Sequence, residues 1–257
     1  MKLATWNVNS LKVRLEQLLD WIDSGAPDVI CLQETKLDDP KFPAEAIEGA
    51  GYKVVFSGQK TYNGVAIASR NPCSDMVRGI PGYADEQKRV IAATVGSMRV
   101  VDAYVPNGQS VDSDKYRYKL EWLNAFTEWL DAELAQYPEL AVVGDFNIAP
   151  DSRDVHDPQA WEGQVLCSEP ERKAFEKLID LGFVDSFRLF DQPEKSFTWW
   201  DYRLNAFKRG MGLRIDHILL SPALAQRCRS VSIIKDMRAL ERPSDHAPVV
   251  ADIADQG

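Results

Sequence analysis

The chain has 257 residues, 45% of them hydrophobic, and a formal net charge of −9. This net charge argues against nucleic acid as a partner, because nucleic-acid binders usually present basic surfaces, although the basic residues here are gathered in a few segments. No apolar run reaches the roughly 18 residues of a membrane span, and residues 1–10 lack the apolar stretch of a signal peptide, so we expect a cytoplasmic protein without membrane contact.

The hydrophobic pattern predicts many short strands and a few long helices. In chain order these are a strand at 2–8, a helix at 11–23, a strand at 28–33, a helix at 44–50, strands at 52–57, 64–69, 89–95 and 98–104, a helix at 115–134, a strand at 140–147, a helix at 169–181, strands at 196–200 and 214–220, a helix at 221–226, and strands at 230–234 and 247–253.

This order of elements predicts a single α/β domain over residues 1–257, with two packed sheets and flanking helices. A doubly wound parallel sheet is the alternative. Parallel neighbours need a long crossover, usually a helix, between most strands, and the many closely spaced strands here argue against that arrangement.

The segment LAVVGDFNIAP, residues 140–150, places two polar side chains at the end of an apolar strand. Asp145 and Asn147 are two positions apart, so in a strand they point to the same face. Burial of such groups is costly unless a metal, a phosphate or a hydrogen-bond network satisfies them. The alternative is a turn in which the Asp and Asn side chains cap the next segment.

Polar side chains recur where other predicted strands begin or end. They are Asn7, Asn9, Glu34, Tyr104, Asn107, Asp216, Asp245 and His246. Oxygen-rich ligands of this kind suit Mg²⁺ or Mn²⁺. The four cysteines lie far apart without a C-x-x-C pair, which indicates neither a zinc site nor a disulfide framework. The sequence also lacks the G-x-S-x-G, P-loop and G-x-G-x-x-G signatures.

Eight segments, taken in order, resemble the exonuclease III family of AP endonucleases, which are DNA-repair nucleases of the endonuclease/exonuclease/phosphatase superfamily. They are ATWNVNSLKVR, CLQETK, YNGVAI, YVPNG, VVGDFNIAP, FTWWDYR, LRIDHILLS and PSDHAPV. The resemblance covers essentially the whole chain. GDFN and SDH recur across the superfamily, whereas WNVNSL, LQETK and TWWDYR are more specific to the DNA-repair branch. The resemblance implies a four-layer α/β sandwich, with two mostly antiparallel mixed sheets packed face to face and helices outside.

The resemblance also implies a Mg²⁺ site, with Mn²⁺ as a possible substitute. Glu34 would be the principal ligand, with Asn7 and Asp245 beside it. At Asn9 some family members have Asp instead. The side chains that the resemblance groups around the metal are Asn7, Glu34, Asp145, Asn147, Asp245 and His246.

The same resemblance assigns catalytic roles to five residues. Asp145 would orient and deprotonate the attacking water, and Asn147 and Tyr104 would bind the phosphate and stabilise the transition state. His246, paired with Asp216, would donate to a non-bridging phosphate oxygen, because a carboxylate neighbour favours the charged imidazole.

The implied reaction is cleavage 5′ to an abasic site in duplex DNA, leaving a 3′-hydroxyl. The same site could act as a 3′-phosphatase, a 3′-phosphodiesterase or a 3′→5′ exonuclease. The expected partner is double-stranded DNA with abasic sites or blocked 3′ ends, and we expect a monomer. The expected DNA contacts are Arg89, Lys115, Lys119, Trp199, Tyr202 and Arg203. Of the adjacent tryptophans, which face opposite sides of a strand, Trp199 is expected near the pocket and Trp200 in the core.

Two other functions remain open from the sequence. One is a superfamily phosphatase or phosphodiesterase that acts on an inositol phosphate or a phospholipid headgroup. The other is a catalytically inactive DNA-binding module, which the occupied catalytic positions argue against. The loops at 151–169 and 201–212 are expected to decide which substrate reaches the site.

Overall fold

The computed structural model describes residues 1–25 and 27–255, and the last two residues of the predicted domain lie outside this part. Its strands are β1 (Lys2–Asn7), β2 (Val29–Gln33), β3 (Lys53–Ser57), β4 (Val65–Ser69), β5 (Cys73–Arg78), β6 (Val90–Val95), β7 (Met98–Tyr104), β8 (Leu140–Asp145), β9 (Val184–Asp185), β10 (Asp216–Leu220), β11 (Cys228–Ile233) and β12 (Val249–Ile253).

The helices connect these strands and cover the outer faces of the sheets. They are α1 (Leu11–Asp23), α2 (Ala44–Gly49), α3 (Asp114–Gln136), α4 (Pro158–Trp161), α5 (Glu169–Asp180), α6 (Pro222–Ala225) and α7 (Lys235–Arg238). Short 3₁₀ turns lie at Asp39–Lys41, Ser152–Asp154, Ser186–Leu189 and Arg203–Asn205.

The strands form two six-stranded sheets of similar design. The first has the order β11-β12-β1-β2-β4-β3 and the second the order β5-β6-β7-β8-β10-β9. In each sheet one central pair is parallel, β1 with β2 and β7 with β8, and the other neighbours are antiparallel. The predicted mixed, mostly antiparallel sheets are therefore confirmed.

The central strands are buried on both faces, which explains their continuous apolar sequences. Every residue of β2, β4, β8 and β10 is buried. One face of each sheet meets the other sheet in a shared core that includes Cys31, Ile67, Val143 and Ile218. Removal of this apolar surface from water is the main stabilising contribution to the docking of the sheets.

The outer faces are covered by helices on both sides. Leu18 and Ile22 of α1 pack with Ile30 on the first sheet. Phe126 of α3 and Phe175 of α5 pack with Val142 on the second sheet. The order of layers is thus helix, sheet, sheet, helix, and the predicted four-layer α/β sandwich is confirmed.

One predicted strand was wrong, and the short elements β5, β9, α4 and α7 were not predicted. The strand predicted at residues 196–200 is replaced by isolated bridges at Trp199, which pairs with Leu213 and His246. The strand Cys73–Arg78 was not predicted, because this edge strand is largely exposed and polar, and its register shifts between Ser74 and Val77. Within the described residues, no helix is long and apolar enough to cross a membrane.

The strand directions bring several chain segments to one edge of the sandwich. The parallel strands β1 and β2 end together, with Asn7 opposite Gln33. In the second sheet Asp145 is opposite Tyr104 on one side and Asp216, the first residue of β10, on the other. Strand β12 begins opposite Thr5, so the segment that precedes it reaches the same edge.

Candidate active site

Asn7, Glu34 and Asp145 connect the two sheets at this edge through one side-chain amide. Nδ2 of Asn7 donates to Oε1 of Glu34 and to Oδ2 of Asp145, with both distances 2.9 Å. Asn7 and Asp145 are buried, and Glu34 is partly exposed. The predicted site residues from the two sheets therefore meet, and a single amide holds two carboxylates side by side.

Glu34 directly follows β2 in a left-handed backbone conformation, with φ of 52°. This conformation is uncommon for residues other than Gly and Asn, and strain of this kind costs about 1–3 kcal/mol. Its carbonyl accepts from the amide of Ser10, and Lys36 lies with Nζ 2.9 Å from Oε2. The turn thus aims the carboxylate toward the site, and a cationic group already binds one of its oxygens.

Asp145 and Asn147 form a tight turn at the end of β8. The amide of Asn147, which has φ of 49°, donates to Oδ1 of Asp145 at 2.9 Å. The turn-forming interpretation is therefore correct for one oxygen of Asp145, whereas the other oxygen faces Asn7. Nδ2 of Asn147 donates to the carbonyl of Val105 at 3.0 Å, and its Oδ1 accepts from Nδ2 of Asn107 at 3.0 Å.

Gly144 lets β8 approach β7 closely just before this turn. Its φ is 146°, and a Cβ atom at this position would lie 1.8 Å from the carbonyl oxygen of Ala103. The glycine in GDFN therefore has a structural reason, because a side chain would push apart the two parallel strands that place Tyr104 and Asp145 opposite each other.

His246 lies between two carboxylates. Its Nδ1 is 2.9 Å from Oδ2 of Asp216, and its Nε2 is 3.7 Å from Oδ2 of Asp145. Burial alone would lower the pKa of His246, but Asp216 and Asp145 outweigh burial and raise it well above its usual range. The imidazole is therefore charged at neutral pH.

The pKa of Asp145 is raised, chiefly because the side chain is fully buried, and the nearby carboxylates of Asp216 and Glu34 add to this effect. His246 and the hydrogen bond from Asn7 act in the opposite direction. A carboxyl group whose pKa moves toward neutrality is suited to accept a proton at physiological pH.

Asp245 has both oxygens engaged by neighbouring side chains. Asn9 donates to Oδ1 at 2.9 Å, and Nε1 of Trp199 donates to Oδ2 at 3.0 Å. Burial raises the pKa of Asp245, but His246 and these two hydrogen bonds hold it below its usual value. Trp200 is only 2% exposed, so its predicted place in the core is confirmed.

Tyr104 lines a cavity of about 1160 Å³. Burial and the charges of Glu34 and Asp145 raise the pKa of its phenol, so the hydroxyl stays protonated and can donate. The guanidinium of Arg89 lies 4.8 Å from the centre of the Tyr104 ring. Lys115 and Arg203 also line this cavity, which gives it a cationic rim.

The donor set fits a hard cation. Single ligand atoms of Glu34, Asp145 and His246 lie within 4.8 Å of one another. The carboxylates are the oxygen ligands that divalent cations such as Mg²⁺ prefer, and Glu34 already attracts the ammonium group of Lys36. His246 could serve as a ligand only in its neutral form, because both nitrogens of an imidazolium carry protons.

The structure corrects one expected DNA contact. Lys119 has no exposed surface, and its ammonium group donates to Glu171 at 2.5 Å and to the carbonyl of Asn147 at 2.6 Å. It cannot reach a DNA phosphate from this position. Tyr202 is 49% exposed beside the site, and its hydroxyl is held by Arg14 at 2.9 Å.

Sequence reasoning assigned no role to several residues that shape the site. Lys36 binds Glu34 and also donates to Oδ1 of Asn9 at 2.6 Å. Ser244 donates to the carbonyl of Asn7 at 2.6 Å and thereby fixes the segment that carries His246. The position of Lys36, two residues after Glu34, was a signal for the first contact, and Ser244 is the first residue of the S-D-H motif that carries Asp245 and His246.

A model described as the endonuclease/exonuclease/phosphatase family matches residues 4–246. The chain belongs to this family. The resemblance read from the sequence motifs is therefore confirmed, and the site described above is the candidate active site of a family member.

Curated and solved relatives cover almost the whole chain. Exodeoxyribonuclease III from Haemophilus influenzae is 38% identical over 98% of this chain and 99% of its own length. The 3′ phosphatase NExo from Neisseria, solved bound to a product DNA hairpin, is 49% identical with a TM-score of 0.97, covering 99% of each chain. An AP endonuclease from Archaeoglobus fulgidus is 39% identical with a TM-score of 0.96, covering 99% of this chain and 100% of its own.

Proposed function

We propose that this family member is a Mg²⁺-dependent DNA-repair phosphodiesterase. It cleaves duplex DNA 5′ to abasic sites to leave a 3′-hydroxyl, and uses the same site on 3′-phosphates, other 3′-blocking groups and 3′-terminal nucleotides. The observation that carries the proposal is the position of Asp145 between the Asn7–Glu34 pair and the charged His246. The names of its relatives, an exodeoxyribonuclease III, a 3′ phosphatase and an AP endonuclease, support it.

Asp145 is the proposed general base. Its pKa is raised by burial, and its Oδ2 faces the site while Oδ1 is fixed by the amide of Asn147. The carboxylate therefore has a defined orientation, and it would accept a proton from the attacking water. A positioned base of this kind contributes about 10²–10⁴ to the rate.

Glu34 is the proposed principal Mg²⁺ ligand, with Asn7 and Asp245 close to it and Asp145, Asn147 and His246 around the same space. When bound, the cation supplies charge neutralisation at the phosphate and at the leaving oxygen. Asn7 keeps the carboxylates of Glu34 and Asp145 at a fixed separation through its two 2.9 Å hydrogen bonds. The side-chain amide of Asn7 therefore fixes the positions of these two carboxylates before a cation binds.

His246 and Tyr104 are the proposed donors to phosphate oxygens, together with the amide of Asn147. Asp216 keeps the imidazolium charged and oriented, and the phenol of Tyr104 keeps its proton. Donors fixed before the reaction stabilise charge that develops in the transition state, and the loss of one such donor typically costs about 10²–10³ in kcat.

DNA would be held by the cationic rim and the aromatic loop. Arg89, Lys115 and Arg203 line the cavity, Trp199 contacts Asp245, and the hydroxyl of Tyr202 accepts from Arg14. Aromatic faces next to a cation suit stacking against an exposed sugar or base. This local positive charge explains how a chain with a net charge of −9 can bind DNA. We propose that the chain acts as a monomer and as one domain, because both sheets contribute to one site.

The test is cleavage of a synthetic duplex with one abasic site, with Mg²⁺ or with EDTA. We expect incision 5′ to the lesion, a product end that a polymerase can extend, and no incision with EDTA. Matched duplexes with a 3′-phosphate or a recessed 3′ end measure the balance of activities. An identically prepared Asp145→Asn protein controls for contaminating nucleases. No cleavage of any duplex, together with turnover of an inositol phosphate, would contradict the proposal.

A further inference from the structure

Lys119 is a fully buried cation whose ammonium group is completely used. It has no exposed surface. Its Nζ donates to Oε1 of Glu171 at 2.5 Å, to the carbonyl of Asn147 at 2.6 Å and to the carbonyl of Asn107 at 3.2 Å. An ammonium ion has three protons, so each has a partner, and no proton remains for a substrate.

The two carbonyls belong to residues whose side chains reach the candidate site. Nδ2 of Asn107 donates to Oδ1 of Asn147 at 3.0 Å, and Nδ2 of Asn147 donates to Oδ2 of Asp145 at 3.3 Å. Asn147 is also in the left-handed conformation, with φ of 49°. Asn is among the residues that tolerate this conformation, and Lys119 binds the backbone carbonyl of this turn directly.

Glu171 fixes the lysine in turn. Its Oε1 accepts from the amide of Leu166 at 3.0 Å, and its Oε2 accepts from the amide and the hydroxyl of Ser168, at 3.1 and 2.6 Å. These contacts form the capping box at the start of α5. The carboxylate is therefore immobilised by α5, and α3 carries the lysine that connects it to the site.

We propose that Lys119 is a positioning residue for this enzyme. It binds the backbone carbonyls of Asn107 and Asn147 and thereby fixes the position of the side-chain amides that bind the phosphate, without itself contacting DNA. The inference rests on the proposed function, and it adds a residue that acts on the rate of the chemical step. A displacement of about 1 Å in a catalytic group can cost about 10²-fold in rate. We therefore expect the loss of the Lys119 hydrogen bonds to lower kcat 10- to 100-fold, with KM for DNA little changed.

The same helix offers a matched control. Arg99 of β7 and Glu133 of α3 form a second buried ion pair, with Nε and Oε2 2.8 Å apart, and Arg99 is 1% exposed. None of the side-chain hydrogen bonds found for Arg99 in the described residues reaches a site residue, since the partners are Glu133, Asp75 and Thr94. Like removal of the Lys119–Glu171 pair, removal of the Arg99–Glu133 pair takes a buried ion pair from α3, but it leaves the candidate site unchanged.

The variants are the double substitutions Lys119→Met with Glu171→Gln, and Arg99→Met with Glu133→Gln. Replacing both partners avoids an unpaired buried charge, which is the main reason that a single substitution would fail to fold. Single-turnover and steady-state rates on abasic duplex are measured below the unfolding temperature of each variant. Hydrogen exchange of the backbone at residues 144–150 is measured on the same samples, and this readout needs no substrate.

We expect the first variant to lose 10- to 100-fold in kcat with KM within about threefold, and to exchange faster at 144–150. The Arg99 variant should keep kcat within about threefold and parental exchange there. Parental kcat in the Lys119 variant, or equal losses in both, would overturn the inference, as would a raised KM with unchanged kcat. If the parent itself cleaves no abasic duplex, the proposed function fails. Unchanged hydrogen exchange at 144–150 in the Lys119 variant would separately refute the positioning role of Lys119.

Discussion

His246 is hydrogen-bonded to Asp216, with 2.9 Å between Nδ1 and Oδ2, and this contact turns the opposite edge of the ring toward Asp145. The register of β10 on β8 creates the arrangement, because Asp216 and Asp145 are direct neighbours in the sheet. One imidazolium thus lies between two carboxylates that would otherwise repel each other. Charge balance and orientation at the site both depend on this pair.

Asp216→Asn should lower kcat by about 10²-fold. The asparagine removes the charge that holds up the pKa of His246, so the imidazole should lose its proton at a lower pH than in the parent. We expect the alkaline fall in activity to begin at lower pH in the variant. The measurement is kcat against pH from 6 to 10 on abasic duplex, and an identical alkaline limb in both proteins would exclude this role for Asp216.

Asp145→Asn should reduce the rate of cleavage by about 10³-fold, within the usual range for a general base. The amide oxygen can still accept from the backbone of Asn147, and the side chain keeps its size, so DNA binding should stay within a few-fold of the parent. Single-turnover rates and fluorescence anisotropy on the same abasic duplex separate the two effects. Activity near the parental level would remove Asp145 from the role of base.

Glu34→Gln should raise the Mg²⁺ concentration needed for half-maximal activity by about tenfold or more. The substitution removes the charge of the carboxylate but keeps an oxygen for the hydrogen bond from Asn7. The control is Glu45→Gln, which changes an exposed carboxylate on α2. Superimposable metal titrations of the Glu34 variant and the parent would show that this side chain does not bind the cation.

His217 should make the fold sensitive to acid. Burial, assisted by Arg214, lowers the pKa of its imidazole to about 4 from an ordinary value of 6.5. Below pH 6.5 the unfolded chain takes up a proton that the folded protein does not, so stability is full above 6.5 and falls as the pH drops toward 4. The loss amounts to about 3 kcal/mol.

The comparison for His217 is the substitution His217→Gln, measured by urea unfolding between pH 4 and 8. The glutamine can still donate to the carbonyl of Ile148, which the imidazole contacts at 2.9 Å. We expect the variant to be less stable than the parent at pH 8, with a smaller decline on acidification. The same decline in both proteins would mean that other groups cause the acid sensitivity.

Gly144→Ala should destabilise the fold by more than about 3 kcal/mol. Its φ of 146° disfavours alanine, and the new Cβ would lie 1.8 Å from the carbonyl oxygen of Ala103. The control is Gly49→Ala, where a Cβ would meet nothing within 4 Å. The readout is the unfolding midpoint in urea, and equal midpoints for the two variants would show that β7 and β8 can separate without cost.

The core of this fold could be predicted from the sequence because its central strands are nearly continuous apolar runs. The strand at 73–78 could not, since only its pairing with β6 holds an exposed and polar segment in a sheet. The order of strands in each sheet was also beyond local patterns, because it depends on contacts between distant segments.

The candidate site was predictable to the extent that its side chains mark strand ends, as Asp145 and Glu34 do. Lys119 shows where this reasoning fails. A lysine in a polar helix start was expected at the surface, but its partner Glu171 lies 52 residues away in the sequence and buries it. Residue type gives charge, whereas burial is decided by the tertiary partner.

The participants in the candidate site extend along the chain from Asn7 to His246, and Ser244 closes the arrangement by donating to the carbonyl of Asn7. A growing polypeptide on the ribosome therefore has most of both sheets before it has the imidazole that completes the site. Under the proposed mechanism such a nascent chain cannot cut DNA. Under that mechanism, nuclease activity is withheld until the segment that carries His246 has been synthesised.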